Sequence, residues 1–264
     1  MKTSLRESLK KLRLSGLAGS LEVRLTEASS SRLTHEEFLE LIVQDELAVR
    51  RDRLINRRIN AANFRDQKTL EDFDWDLNTS IRRKAIFDLA SGEFVRKAHV
   101  VLLIGPPGVG KSHLAQGIGK ALINSGHTVL YRSIFDTVRD LLHDEAFEGH
   151  EKVMQRYLKP DLLILDDMGM KQLPKRSGEF LFEIIMRRHE LRSTLMTSNR
   201  PLEDWGKLIG DIPAAAAILD RFLQDARLIE ITGKSYRLRG KRPAETDTIQ
   251  TRSPGRSKEK ATTK

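Results

Sequence analysis

His99-Val100-Val101-Leu102-Leu103-Ile104 runs without a break into Gly105-Pro106-Pro107-Gly108-Val109-Gly110-Lys111-Ser112. A short run of Val, Leu and Ile suits a strand buried on both faces. The segment from Gly105 to Ser112 fits G-x-x-x-x-G-K-[ST], the loop that curls its backbone N–H groups around phosphates, with a helix expected to open at about Lys111. Glycine lets the chain curl, and the helix N-terminus adds its positive end. Residues Gly105, Pro106, Pro107, Gly108, Val109, Gly110, Lys111 and Ser112 are therefore the candidate nucleotide-binding set. Lys111 is expected to reach the β- and γ-phosphates of ATP, and the Ser112 hydroxyl to ligate Mg²⁺.

Downstream, short apolar runs at 128–132, 161–166, 194–198 and 228–231 alternate with helix-length stretches. Strands alternating with helices imply an α/β fold, a parallel sheet covered by helices on both faces. The run Asp161-Leu162-Leu163-Ile164-Leu165-Asp166-Asp167 delivers two carboxylates to the carboxyl end of a buried strand, where ligands of open α/β sheets gather. Asp166 is the candidate Mg²⁺ ligand, with Ser112, and Asp167 the candidate water-activating carboxylate. Strand 194–198 ends in Asn199, suited either to positioning water or to the turn before Pro201. Arg221 follows an alanine-rich helical stretch. It suits the neutralisation of charge on a transferring phosphoryl group, or a salt bridge with Asp220 or Asp225.

Working towards the N-terminus, glycine is absent between Gly19 and Gly92, and the pattern is helical. Ser4-x-x-Glu7 reads as a capping box ahead of an apolar stripe of Leu5, Leu9 and Leu12 that Gly16 ends. Thr34-x-x-Glu37 opens a long helix to about Ile59. The second half of that helix holds Arg50, Arg51, Arg53, Arg57 and Arg58, which fall within about 160° of arc. These arginines fit phosphate contacts with DNA, and equally a solvated face over a helix pair.

The net charge of +9 is uneven. Basic and acidic side chains number 14 and 10 in residues 1–69, 25 and 24 in 70–239, and 7 and 3 in 240–264. A neutral middle with basic flanks points to a polyanionic partner, nucleic acid before membrane because no strongly apolar amphipathic face accompanies the charge, the alternative being a solvated, solubilising surface. Three segments are expected: a helical DNA- or partner-binding domain (1–69), an ATPase domain (70–239) and a disordered basic tail (240–264).

Absence of cysteine excludes disulfides and thiolate metal sites, and the seven histidines never fall three to five residues apart. No apolar run approaches the ~20 residues of a membrane span, and the charged N-terminal stretch lacks a secretory core, so a cytoplasmic protein is expected.

Taken in order, GPPGVGKS, LLILDD, TSNRP and LDRF resemble the AAA+ ATPases, and within them the IstB/DnaC-like group of transposition helpers and helicase loaders. The phrase Leu70-Glu71-Asp72-Phe73-Asp74-Trp75 and the ending Gly233-Lys234-Ser235-Tyr236-Arg237 bring the resemblance closest to the IstB-like helpers, over about residues 1–240. The resemblance implies an AAA+ core behind a small all-helical domain, with Asn199 as sensor 1 and Arg221 as an arginine finger acting on a neighbouring subunit. It also implies that Asp72 to Trp75 lie near the adenine, with Arg237 a candidate for sensor 2. Asp167 departs from the pattern, because most members have Glu there. The implied function is ATP-dependent assembly on duplex DNA as a homo-oligomer that helps a transposase, the alternative being a replicative helicase loader. A metabolite kinase would need an acceptor pocket and lid, and a degenerate nucleotide site is at odds with intact Lys111, Ser112 and Asp166.

Overall fold

The computed structural model describes residues 3–144, 149–169, 174, 177–209, 212–224, 226–233 and 235–238. The expected tail, 240–264, lies outside the described residues. The helices are α1 (Thr3–Lys11), α2 (Ser15–Ser31), α3 (His35–Ala62), α4 (Arg83–Ala90), α5 (Glu93–Arg96), α6 (Lys111–Asn124), α7 (Ile134–Asp144), α8 (His150–Leu158), α9 (Ser177–Arg188), α10 (Trp205–Ile209) and α11 (Ile212–Gln224). The strands are β1 (Val100–Ile104), β2 (Val129–Ser133), β3 (Leu162–Met168), β4 (Ser193–Ser198) and β5 (Ala226–Glu230).

All five strands are parallel, in the order β2-β3-β4-β1-β5. Each apolar run is split by the two-residue period of a strand. Val101, Leu103, Ile164 and Leu195 face a layer built by α4, α6 and the end of α3, while Leu102, Leu163, Leu165 and Met196 face α7, α8 and α9. Leu102 and Leu103 are fully buried, so truncating either to Ala is expected to cost about 2–5 kcal/mol. The expected strands are all present, with β5 beginning two residues earlier than the apolar pattern suggests.

One irregularity matters for the site. Leu165 pairs with Met196 and Met168 with Ser198, so β3 carries one residue more than β4 over this interval. It is a β-bulge, and the extra residue falls at the aspartate pair. The opposite, amino-terminal end is fixed by Arg188, whose buried guanidinium donates to the carbonyls of Tyr157, Leu158, Pro160 and Ser193 and to Thr194 Oγ1.

At the N-terminus α2 and α3 form a helical hairpin. The capping box is made as expected: Glu37 N–H donates to Thr34 Oγ1 at 3.3 Å, and Thr34 N–H to Glu37 Oε2 at 2.8 Å. The Ser4 box is not. Helix α1 already includes Thr3, which puts Ser4 inside the first turn, and it ends at Lys11 rather than at Gly16. Gly16 instead opens α2, where a Cβ would lie 2.9 Å from Glu46 Cα. Glu46 Oε2 accepts the Gly16 and Leu17 N–H groups at 2.7 and 3.0 Å. A carboxylate of α3 thus caps α2, doing what Leu14 cannot. Arg24 grips Asp45 through two 2.8 Å hydrogen bonds, which hold the Asp45 carboxyl down at about 2.

Helix α3 is about 42 Å long at 1.5 Å per residue. Ile42 in its first half packs with Leu9 of α1 and Leu21 of α2, and its second half joins the sheet layer through Ile55, Ile59 and Ala62. No described helix is long and apolar enough to cross a membrane.

Candidate functional site

At the carboxyl ends of β1, β3 and β4 lies a cavity of about 830 Å³, lined by the loop Pro107–Ser112 together with Phe73, Asn78, Asp167, Asn199, Arg200 and Arg237. The loop enters pinned on both sides: Gly105 N–H donates to Ser198 O at 3.2 Å, and Ile231 N–H to Ile104 O at 2.7 Å. Any side chain at Gly105 would meet the Ile231 carbonyl, 2.0 Å from its Cβ. At Gly108 φ is +84°, a conformation that glycine adopts freely. The Gly108 carbonyl accepts the Tyr236 N–H at 2.9 Å, which fastens the loop to the chain's later segment.

Lys111 opens α6 and is only 5% exposed. Its ammonium donates to the carbonyls of Gly105 and Pro106, both at 2.8 Å, and burial pushes its pKa down to about 8. Ser112, on the next position, donates from Oγ to Asp166 Oδ1 at 2.9 Å. Asp166 is fully buried behind the cavity wall and also accepts the hydroxyls of Tyr131 and Thr197. Three hydroxyls on one carboxylate fix its orientation, and burial beside it drives the Tyr131 phenol far above its ordinary range.

Asp167 lies on the cavity wall with φ at +64°, a value set by the bulge in β3. Its N–H donates to Thr197 Oγ1 at 3.1 Å. Burial and the neighbouring Asp166 raise its pKa, and Arg65, whose Nη1 lies 3.2 Å from Asp167 Oδ2, opposes that shift. Asn199 follows β4, its N–H donating to Met168 O at 3.0 Å, and it too lines the cavity.

The structure therefore gathers Lys111, Ser112, Asp167 and Asn199 around one space, with Asp166 just behind its wall, bonded to Ser112. It does not bring Arg221 there. Arg221 lies exposed on α11 and takes no part in lining the cavity. Asp72, Phe73 and Asp74 line it, whereas Trp75, expected beside them, does not. The Trp75 ring packs edge-on against Phe73 at 4.8 Å and under the Arg83 guanidinium at 5.4 Å, so it braces Phe73 from behind. Arg237 does reach the cavity, and its charge is felt at Lys111 and Asp167.

Four residues around the site escaped sequence reading. Tyr131 and Thr197 grip Asp166, and Asn78, almost wholly buried, donates to Val109 O at 3.4 Å. Tyr131 and Thr197 share strand parity with positions facing the α6 layer, a signal that could have found them. Arg65 carried no such signal, being 102 positions from Asp167.

The Arg50, Arg51, Arg53 and Arg57 side chains are exposed on α3, and Arg58 is half-buried. Arg50 Nε pairs with Glu46 at 2.7 Å, and Arg53 Nη1 donates to Ser15 Oγ at 2.5 Å.

The sequence profile of the family described as IstB-like ATP binding protein matches residues 7–244. The chain belongs to the IstB-like ATP-binding protein family. A protein of Pseudomonas aeruginosa named as an ATP-binding protein of insertion sequence IS21 is 35% identical over 236 residues, 89% of each chain. One from Geobacillus stearothermophilus, named for insertion sequence IS5376, is 32% identical over 242 residues, 92% of this chain and 96% of the relative. Among solved structures, the DnaC helicase loader aligns with TM-score 0.51 and 23% identity over 66% of this chain and 98% of its own. DnaI aligns at 0.54 and 24%, over 63% and 92%. These likenesses identify the fold of the IstB-like chain as an AAA+ core, here preceded by a helical region.

Proposed function

We propose that this IstB-like protein is an ATP-dependent DNA-binding assembly factor that serves a transposase in insertion-sequence transposition, oligomerising on duplex DNA with ATP and hydrolysing ATP to ADP. The observation that carries the reading is the meeting of Lys111, Ser112, Asp167 and Asn199 at one cavity, with Asp166 behind its wall and hydrogen-bonded to Ser112. The relatives' association with insertion sequences favours transposition over helicase loading, since the likeness to the loaders is one of fold.

Lys111 exchanges its contacts with the Gly105 and Pro106 carbonyls for phosphate oxygens, while the loop's N–H groups hold the triphosphate. Ser112 Oγ and Asp166 Oδ1, two hard oxygen donors 2.9 Å apart, suit Mg²⁺. Mg²⁺ when bound neutralises charge developing on the phosphates. Asp167 accepts a proton from the attacking water at its carboxylate, and Asn199 orients that water. Arg221, exposed and away from its own cavity, stabilises charge on the γ-phosphoryl group held by a neighbouring subunit.

In this reading residues 1–69 form the DNA- or partner-binding unit, with Arg50, Arg53, Arg57 and Arg58 on phosphates, residues 70–239 the ATPase, and the protein works in the cytoplasm. The test is ATP hydrolysis measured with and without duplex DNA, alongside particle size by sedimentation. Larger particles with ATP and DNA, and hydrolysis that Lys111→Ala abolishes, are expected. A chain that stays one size under all conditions, or hydrolysis untouched by Lys111→Ala, overturns the reading.

A further inference from the structure

Asp166 is wholly buried, and among the described residues its hydrogen-bond partners are three hydroxyls and no cation. They divide unevenly. Ser112 and Thr197 both donate to Oδ1, whereas Tyr131 alone donates to Oδ2. A hydroxyl orients a carboxylate and leaves its charge uncompensated, so the site favours a cation at the oxygen that Ser112 also faces.

The sheet explains why a tyrosine makes the Oδ2 contact. In the register of β2 on β3, Ser133 stands opposite Asp166, and Tyr131 stands opposite Ile164, two residues upstream on the same face. Ser133 is the nearer hydroxyl, but it is engaged at the start of α7, where it donates to Asp136 Oδ2 at 2.8 Å and accepts the Asp136 N–H at 3.1 Å. The contact falls to Tyr131, whose Cα is about 8 Å from that of Asp166 at a rise of ~3.3 Å per residue and a strand spacing of ~4.8 Å. Only a long side chain spans that gap. The phenol is also held on its way: Tyr131 is 3% exposed, and its ring lies 6.0 Å from that of Phe64. Phe64 in turn rests on Gly119 of α6, where a Cβ would come within 2.9 Å of it. The hydroxyl therefore reaches Asp166 from a side chain with little freedom to move.

We propose that Tyr131 is a positioning residue for the divalent cation: by holding Oδ2 from the β2 side it stops the Asp166 carboxylate from turning, and so keeps Oδ1 directed at the Ser112 hydroxyl, where Mg²⁺ binds with the nucleotide. This rests on the reading of ATP and Mg²⁺ given above. Tyr131 does not line the nucleotide cavity, so it acts on the metal and not on the nucleotide.

The full-length parent and Tyr131→Phe are titrated with Mn²⁺ in the presence of a non-hydrolysable ATP analogue, and bound metal is read by electron paramagnetic resonance. Affinity for a fluorescent form of the analogue is measured separately in chelator, with the melting temperature beside it. Phenylalanine keeps the ring against Phe64 and removes the hydroxyl alone. Tyr131→Phe is expected to weaken Mn²⁺ binding about 10- to 100-fold, the effect of removing a partner that orients a metal ligand. Metal-free analogue affinity stays parental. Parental Mn²⁺ affinity overturns the inference. So does a loss of metal-free analogue affinity as large as the loss for Mn²⁺, which marks a general disturbance of the cavity. If Tyr131→Phe does not fold, the parent with 3-fluorotyrosine in place of Tyr131 decides the matter, since it keeps the hydroxyl. Its fluorine resonance should move when Mg²⁺ joins the analogue complex, and a resonance indifferent to Mg²⁺ overturns the inference. A parent that binds the analogue but takes up no Mn²⁺ removes the metal site, and this role of Tyr131 with it. A parent that binds no analogue overturns the ATP reading itself.

Discussion

Ser112 Oγ donates to Asp166 Oδ1 at 2.9 Å, joining α6 to β3 across 54 positions of sequence. The pair lies at the join between the phosphate loop and the acidic strand end, where a divalent cation would be shared with a nucleotide. Removing divalent cations with a chelator is expected to abolish hydrolysis. Ser112→Ala should reduce it by about 10² or more, since a bound metal supplies several kcal/mol of charge stabilisation. Full turnover in chelator would exclude the pair as a metal site.

Lys111 links nucleotide binding to pH. Its ammonium is pushed down to about 8 by burial, and phosphate oxygens favour the charged form, so binding above pH 8 must take up a proton. Affinity is therefore constant below pH 8 and weakens by up to tenfold per pH unit above it, until the pKa of the bound form is reached. Calorimetric titration from pH 7 to 9.5 in buffers of different ionisation enthalpy measures both the affinity and the proton taken up. A flat profile would remove Lys111 from the phosphates.

Asp167→Asn keeps the shape of the bulge and leaves Asp166 in place. ATP should bind with parental affinity while turnover falls by about 10² or more, the scale of a lost general base. Equal turnover in variant and parent would reassign the base.

Arg221→Ala should bind ATP and fail to hydrolyse it. Mixed with Lys111→Ala it should regain part of the activity, because some interfaces would pair an intact cavity with an intact arginine. If the two variants co-assemble, as seen by mass, and no mixture recovers hydrolysis, Arg221 does not act across subunits.

Arg53 and Arg57 are exposed on one stretch of α3. If both meet DNA phosphates, changing both to Ala flattens the log–log salt dependence of duplex binding by about two units, at about 0.9 per contact. The melting temperature is recorded alongside, since Arg53 also donates to Ser15. Parental affinity and slope in a normally folded variant would exclude this face as the grip.

The phosphate loop and β3 were legible because each is a local pattern: apolar residues at strand spacing followed by residue types that only a tight turn or a charged ligand calls for. The Thr34–Glu37 cap was legible for the same reason, as its partners are three residues apart. Where sequence reading failed, distance or competition was the cause. Ser4 had the right neighbours for a cap, yet the helix already contains Thr3. Gly16 looked like a terminator, and is instead the close-approach point that lets α2 rest on Glu46. Trp75 lies in a phrase that reaches the cavity, but the cavity takes Asp72, Phe73 and Asp74, while the Trp75 ring turns to pack against Phe73 and the Arg83 guanidinium. Arg65 meets Asp167 only because α3 packs on β2 and β2 pairs with β3, a relation that no local pattern carries.

In an unbroken strand, neighbours such as Asp166 and Asp167 would point to opposite faces, one into each layer. The extra residue in β3 sets both opposite Thr197, whose single oxygen accepts the N–H of one and donates to the carboxylate of the other. With Arg188 locking the amino ends of β3 and β4, the mismatch cannot be relieved by sliding one strand along the other. The number of residues between Leu165 and Met168 is thus as much a part of the chemistry as their identity. Shortening the interval by one would leave the sheet hydrogen-bonded and every acid but one in the chain, yet Thr197 would no longer hold one aspartate by its N–H and the other by its carboxylate.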